Sequence, residues 1–205
     1  MGLLQLLVND PRAFALLAVP LLYAIILHEL AHGWVAQRLG DPTAREAGRI
    51  TLNPLKHLDP VGTLMLFLFG FGWAKPVPVN FAYVHPFRLG LILISSAGIV
   101  ANLLMAIAAL LLLRLLRPEG SLETFFAVMA RINIMLAAFN LIPIPPLDGS
   151  KILMGFLSER LQMVLARLEP FGFFIIIGLL YLGVLDPVIR FFRRLILLGI
   201  ALLLA

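Results

Sequence analysis

Long apolar runs, each closed by a charge, a proline or both, alternate with short polar segments along this chain of 205 residues. A helix that crosses a bilayer needs roughly 20 apolar residues. Ala13 to Arg38 meets that length, opening near Pro11 and stopped by Gly40-Asp41-Pro42. Leu89 to Leu113 predicts a second span, closed by Arg114, Arg117 and Pro118, and Phe125 to Ile142 a third that ends in a proline-rich run. Phe171 to Leu185 and Val188 to Leu204 are two further apolar stretches split by Asp186-Pro187, the first of them short for a full crossing. Met1 to Val8 reads as an interfacial or partial segment. The pattern predicts an all-α polytopic membrane protein with five to six transmembrane segments.

One region breaks the helical pattern. Val61 to Phe71 is apolar, glycine-punctuated and too short to span, and it runs into Gly72-Trp73-Ala74-Lys75-Pro76-Val77-Pro78-Val79-Asn80. Prolines at 76 and 78 exclude a helix there and favour extended chain. Irregular backbone at membrane depth persists only where protein or a watery cavity satisfies it. A re-entrant extended or β-hairpin segment near residues 61–87, lining a cavity, is therefore expected, against the plainer reading of a surface loop.

Composition agrees with the membrane assignment: 61% hydrophobic residues, mean hydropathy +1.03 and only 13% charged residues. Residues 1–205 leave no room for a second folded module and are read as one membrane-embedded domain. The net charge of +5 sits in connecting segments, and no basic stripe with interleaved aromatics is present, so lipid rather than nucleic acid is the expected partner. The first ten residues show no basic n-region or clear cleavage site, so no removable signal peptide is expected. Arg38, Arg45, Arg49 and Lys56 follow the first span, and Lys151, Arg160 and Arg167 follow the third, which puts both loops on the cytoplasmic side by the positive-inside rule. Arg114, Arg117 and the cluster Arg190, Arg193 and Arg194 fit that rule less well.

The chemistry lies in His28-Glu29-Leu30-Ala31-His32, inside the first span. Residues four apart share a helix face, so two imidazoles can meet one metal ion, with Glu29 beside them to act on its water. Polar side chains in a membrane are costly and are usually kept for function. With no cysteine in the chain, the remaining zinc ligands must be His, Asp or Glu, and a catalytic site usually has three protein ligands. Asp148, just after the third span, is on the expected side of the membrane for a third ligand, and His57 and Asp59 are rivals. Arg131 is read as snorkelling and His85 as interfacial.

The two motifs together, His28 to His32 and Asn140-Leu141-Ile142-Pro143-Ile144-Pro145-Pro146-Leu147-Asp148-Gly149, resemble the site-2 protease-type intramembrane zinc metalloproteases, the M50 peptidases. The second motif matches that family's N-x-x-P-x-P-x-L-D-G pattern, and Gly48 to Pro54 and Gly72 to Asn80 look like its compact bacterial branch without PDZ or CBS domains. The resemblance covers residues 25 to about 150, the core motifs of the domain. It implies one Zn2+ per chain held by His28, His32 and Asp148, with Glu29 activating water and with His57 and Asp59 left to anchor loops. It also implies a multi-pass protein of the prokaryotic cell (plasma) membrane, its active site nearer the cytoplasmic side. One departure is visible: Gly98-Ile99-Val100-Ala101-Asn102 keeps the glycine and asparagine of a family motif that often carries proline after the glycine.

The expected activity is zinc-assisted peptide-bond hydrolysis in single-span membrane substrates, with Glu29 as general base. Asn140 and Asn102 are candidate donors to an oxyanion or to substrate backbone, against a plain role as interhelical glue. Val77, Val79 and Asn80 are candidates for pairing with a substrate strand. Two other classes compete. A membrane metal-ion transporter would need further ligands along a path, and the spans after residue 89 contain no His, Asp or Glu. A CAAX-type membrane peptidase typically takes a glutamate from a later helix, and none is available there.

Overall fold

The computed structural model describes residues 3–69 and 72–204; among these the regular structure is helical, joined by turns and one extended segment, with no sheet. In chain order the helices are α1 (Leu3–Asn9), α2 (Pro11–Arg38), α3 (Thr43–Glu46), α4 (Pro60–Phe69), α5 (Phe87–Leu116), α6 (Ser121–Asn140), α7 (Asp148–Phe156), α8 (Glu159–Leu168), α9 (Gly172–Tyr181) and α10 (Leu185–Leu204). Helix α2 starts where the Asp10 side chain accepts from the Ala13 N–H and Pro11 takes the first helical position, whose missing N–H costs nothing there.

The core is the contact of α2, α5 and α6, with α7 packed on α5 and α10 on α6. Between membrane helices, packing and hydrogen bonds replace the hydrophobic drive, so small residues collect at the contacts. Pro20, Ala24, His28, His32 and Ala36 recur every four residues on the buried face of α2. Helix α5 buries Gly90, Ser95, Gly98, Asn102, Ala106 and Ala109. Helix α6 contributes Ala130, Asn133, Ala137 and Ala138. One end of the bundle is marked by side chains. Arg12 Nε donates to Ser121 Oγ at 2.8 Å, and Arg114 donates to the Leu204 carbonyl, at the end far from His28.

Among the described residues, four helical stretches are long and apolar enough to cross a membrane: Pro11–Arg38, Phe87–Leu116, Ser121–Asn140 and Glu159–Tyr181. The sequence pattern predicts five to six, and the C-terminal third is where the two differ. The helix expected to open at Phe171 is preceded by α8, joined to α9 by a 3-10 turn at Glu169–Phe171. The break between the last two helices falls at residues 182–184 and not at Asp186-Pro187, which lie in the first turn of α10, where proline is tolerated. Helix α10 carries Asp186, Arg190, Arg193 and Arg194, which keeps it out of the set of apolar spans.

The region near residues 61–87 is not a β-hairpin. Pro60–Phe69 is a helix, and its start was legible: Asp59 Oδ1 accepts from the Gly62 N–H at 2.8 Å, with Pro60 at the first position. The last part of the predicted re-entrant stretch, residues 70–71, lies outside the described residues. Residues 75–80 are extended, as Pro76 and Pro78 dictate, but pair only through an isolated antiparallel bridge between Leu58 and Ala74. Helix α4 reaches back along α1, and Phe67 stacks on Phe14 with ring centroids 6.0 Å apart.

Candidate metal centre

His28 and His32 project from the same face of α2, one turn apart, against α5. Their approach needs a residue without a side chain opposite. A Cβ on Gly98 would stand 2.5 Å from both His28 Cε1 and His32 Nε2. The third group arrives from the other motif. Pro143, Pro145 and Pro146 keep residues 143–147 from continuing α6, and the chain turns until Asp148 opens α7. Gly149 allows the turn to close, since a Cβ there would meet the Leu141 carbonyl at 2.4 Å.

The result is a buried cluster of two imidazoles and one carboxylate, and among the described residues it is the one such group of three. Asp148 Oδ2 lies 3.2 Å from His28 Nε2 and 3.3 Å from His32 Nε2, and the two Nε2 atoms are 3.0 Å apart. The remaining ring nitrogens fix the tautomers. His28 Nδ1 is 2.6 Å from Asn102 Oδ1, and His32 Nδ1 is 2.7 Å from the Ile94 carbonyl. The Asn102 amide nitrogen already donates to the Ala24 carbonyl at 3.2 Å and to Asn133 Oδ1 at 2.8 Å, so its oxygen must be the atom that faces His28. Each imidazole therefore donates from Nδ1 and, when neutral, presents a bare Nε2.

Three lone-pair atoms aimed at one point cannot satisfy one another, and Asp148 Oδ2 is a buried oxygen without a hydrogen-bond partner. A cation satisfies all three. Zinc bonds of about 2.0–2.2 Å in a tetrahedral arrangement set ligand atoms roughly 3.3 Å apart. The residues present thus fit zinc, and they leave a fourth position open.

Beside the cluster is a cavity of about 350 Å³, lined among others by Glu29, Val77, Asn140 and Lys151. Glu29 follows His28 on α2, and its Oε2 accepts from the Val77 N–H at 2.8 Å. Val77 belongs to the extended segment 72–80, a strap across the cavity held at four further points. Arg49 donates to the Lys75 carbonyl at 2.6 Å, the Lys75 N–H donates to the His57 carbonyl at 2.8 Å, the Asn80 N–H donates to Asp41 Oδ2 at 2.7 Å, and Val77 packs against Gly33.

The other expected residues divide. Asn140 lines the cavity, with its amide donating to the Leu136 carbonyl at 3.0 Å. Asn102 is fully buried behind His28, with every polar atom engaged inside the bundle, so it faces the imidazole and not the cavity. Asn80 spends its side-chain oxygen on the Ala82 N–H. His57 and Asp59 stand outside the cluster: His57 Nε2 donates to the Thr51 carbonyl at 2.8 Å and Asp59 caps α4. Sequence reasoning missed Asn133, Asp41 and the buried Arg49. The signal for Asn133 was available, an amide in the middle of an apolar run, but no recognised motif drew attention to it.

An apolar helical bundle around a His-His-Asp cluster, with a glutamate one residue from the first ligand, defines a multi-pass membrane metalloprotein. Comparison with known proteins narrows this. Residues 116–182 match the family model "Peptidase family M50". YwhC of Bacillus subtilis, named as a zinc metalloprotease, is 40% identical over 172 residues, covering 80% of this chain and 78% of YwhC. Rip2 of Mycolicibacterium smegmatis, also named as a zinc metalloprotease, is 30% identical over 177 residues, covering 82% of this chain and 67% of Rip2. Rip2 of Mycobacterium tuberculosis is 32% identical over 169 residues, 78% of this chain and 64% of that protein. No solved structure gives a significant match. The chain belongs to peptidase family M50, the site-2 protease-type zinc metalloproteases, and zinc is its cofactor.

Proposed function

We propose that this protein cleaves peptide bonds of single-span membrane proteins at a site within the bilayer, using His28, His32 and Asp148 to hold one zinc ion and Glu29 as general base. The observation that carries this reading is the convergence of three acceptor atoms from two motifs about 120 residues apart in sequence, beside a cavity lined by Glu29. Zinc, when bound, supplies a Lewis acid that polarises the scissile carbonyl and brings the pKa of water towards neutrality. Glu29 takes the proton from the attacking water and returns it to the leaving amine. Asn140 keeps one amide hydrogen beyond its bond to Leu136 for the substrate backbone.

A helical substrate hides its peptide bonds, so the scissile stretch must be presented extended. The strap offers an edge for that pairing. With the Val77 and Asn80 N–H groups committed to Glu29 and Asp41, pairing falls to the Val77 and Val79 carbonyls and the Val79 N–H. We read residues 1–205 as one catalytic domain in the cell membrane of a prokaryote, with α4 and the strap as a re-entrant unit and the centre nearer the cytoplasmic face. The basic residues of the 38–56 and 151–167 segments support that side.

The same contacts support a revised path for the C-terminal third. Leu185 packs with Ile142 and Leu147 near the centre, whereas Leu204 meets Arg114 at the far end, so α10 is the helix that runs the length of the bundle. Helices α8 and α9 stay at the metal end, through Gln162 to the Met154 carbonyl, Lys151 to Glu169, and Phe173 edge-on to Trp73.

The test is Glu29→Gln in the full chain reconstituted with a single-span substrate. Loss of a general base costs roughly 10²–10⁴ in rate, so cleavage is expected to fall by that factor with zinc content unchanged. Retained turnover would remove Glu29 from the mechanism.

A further inference from the structure

Asn133 touches neither the cavity nor the three metal-ligating side chains, yet it is fully buried and fully bonded on α6. Its amide nitrogen donates to the Met129 carbonyl at 2.8 Å, which orients the group and turns Oδ1 towards Asn102. Asn102 Nδ2 then donates to two acceptors, Asn133 Oδ1 at 2.8 Å and the Ala24 carbonyl at 3.2 Å, and Asn102 Oδ1 is left for His28 Nδ1 at 2.6 Å. Reversing the Asn102 amide would set its oxygen against both acceptors and aim its N–H₂ at His28. Asn133 supplies the shorter of the two contacts that forbid this.

We infer that Asn133 is a positioning residue for the metal centre: acting through Asn102, it holds His28 in the tautomer that leaves Nε2 free for zinc. If Asn102 could turn over, it would donate to His28 Nδ1, move the imidazole proton to Nε2 and point that proton at the metal locus. The chain of amides crosses α6, α5 and α2, so it also ties the helices together, as polar groups in membrane bundles commonly do. A role confined to that tie predicts lower thermal stability with an unaltered metal site. A relay predicts altered zinc affinity in chains that remain folded. The inference rests on the metal reading above, and its test separates the two.

The experiment is zinc affinity by chelator competition in the full-length protein in nanodiscs, with nitrogen-15 NMR of His28 in the metal-free state. Partners of a ligating histidine typically matter by roughly 10–100-fold in metal affinity. Asn133→Leu is expected to weaken zinc at least tenfold and to populate the Nε2–H tautomer of His28; Asn133→Ala makes the same test should the leucine variant not fold. Asn133→Asp, protonated in this apolar setting, keeps both an acceptor for Asn102 and a donor for Met129 and is expected to restore affinity to within about threefold of the parent. Unchanged zinc affinity and an unchanged tautomer in folded Asn133→Leu or Asn133→Ala would overturn the relay. A parent that binds no zinc would overturn the metal reading instead, and the tautomer of His28 would then decide the relay by itself.

Discussion

The floor and the roof of the cavity are built by opposite means. The floor, where His28, His32 and Asp148 meet, rests on helix–helix contacts between small residues, and both imidazoles are fixed by buried acceptors within the bundle. The roof, residues 72–80, has one isolated bridge and is otherwise held by single bonds from Arg49, Glu29 and Asp41 to its backbone. A metal site must keep ligand atoms within a few tenths of an ångström, which only a packed floor can do. In the proposed function the strap shields the base and admits an extended chain, so it must let go, and bonds contributing about 1 kcal/mol each can be exchanged for bonds to a substrate. The two are joined through Val77, whose N–H donates to Glu29 and whose side chain packs against Gly33.

The contrast can be broken most severely from the floor. Gly98→Val would drive a side chain into both imidazoles, so zinc content is expected to fall below a tenth of the parent value, measured by metal analysis of the folded protein. Zinc bound as in the parent would mean that α5 does not support the histidine pair. The roof should respond differently. Asp41→Ala removes the carboxylate that accepts from the Asn80 N–H and from Thr43, a loss of about 0.5–1.5 kcal/mol per bond at these partly exposed donors. Faster amide exchange at residues 77–84 is expected with zinc retained; loss of zinc in this variant would show that floor and roof are one unit. The smallest effect is at the rim. Asn53→Ala removes a side chain that accepts from the Leu55 N–H at the start of a 3-10 turn, and a loss of about 0.5–1 kcal/mol is expected in a thermal melt, with cleavage unaffected.

The candidate metal cluster was legible in the sequence because it is written in local spacing. Two histidines four apart, a glutamate between them, and an Asp-Gly after a proline run are short patterns with strong consequences, and the structure brings His28, His32 and Asp148 together. The spans α2, α5 and α6 were legible for the same reason, as each is a long apolar run with a clear stop. What was hidden depends on which helix faces which. Nothing in the order of residues says that Asn133 meets Asn102, or that a carbonyl from residue 94 orients His32. Helix α4 was missed through its composition, a glycine-punctuated apolar stretch, although Asp59-Pro60 is a sound helix start. The count of spans, five to six from the sequence pattern against four by length and apolarity among the described helices, diverges where charge and length disagree, since α10 has the length of a crossing and carries three arginines.

The proposed hydrolysis requires two distant motifs to form one metal centre. The direct measurement is zinc per chain in the purified parent and in Asp148→Ala, each shown to be folded. The account predicts close to one zinc in the parent and little in the variant, because only two imidazoles remain. Full zinc occupancy in Asp148→Ala would contradict it and return the third ligand to His57 or another group.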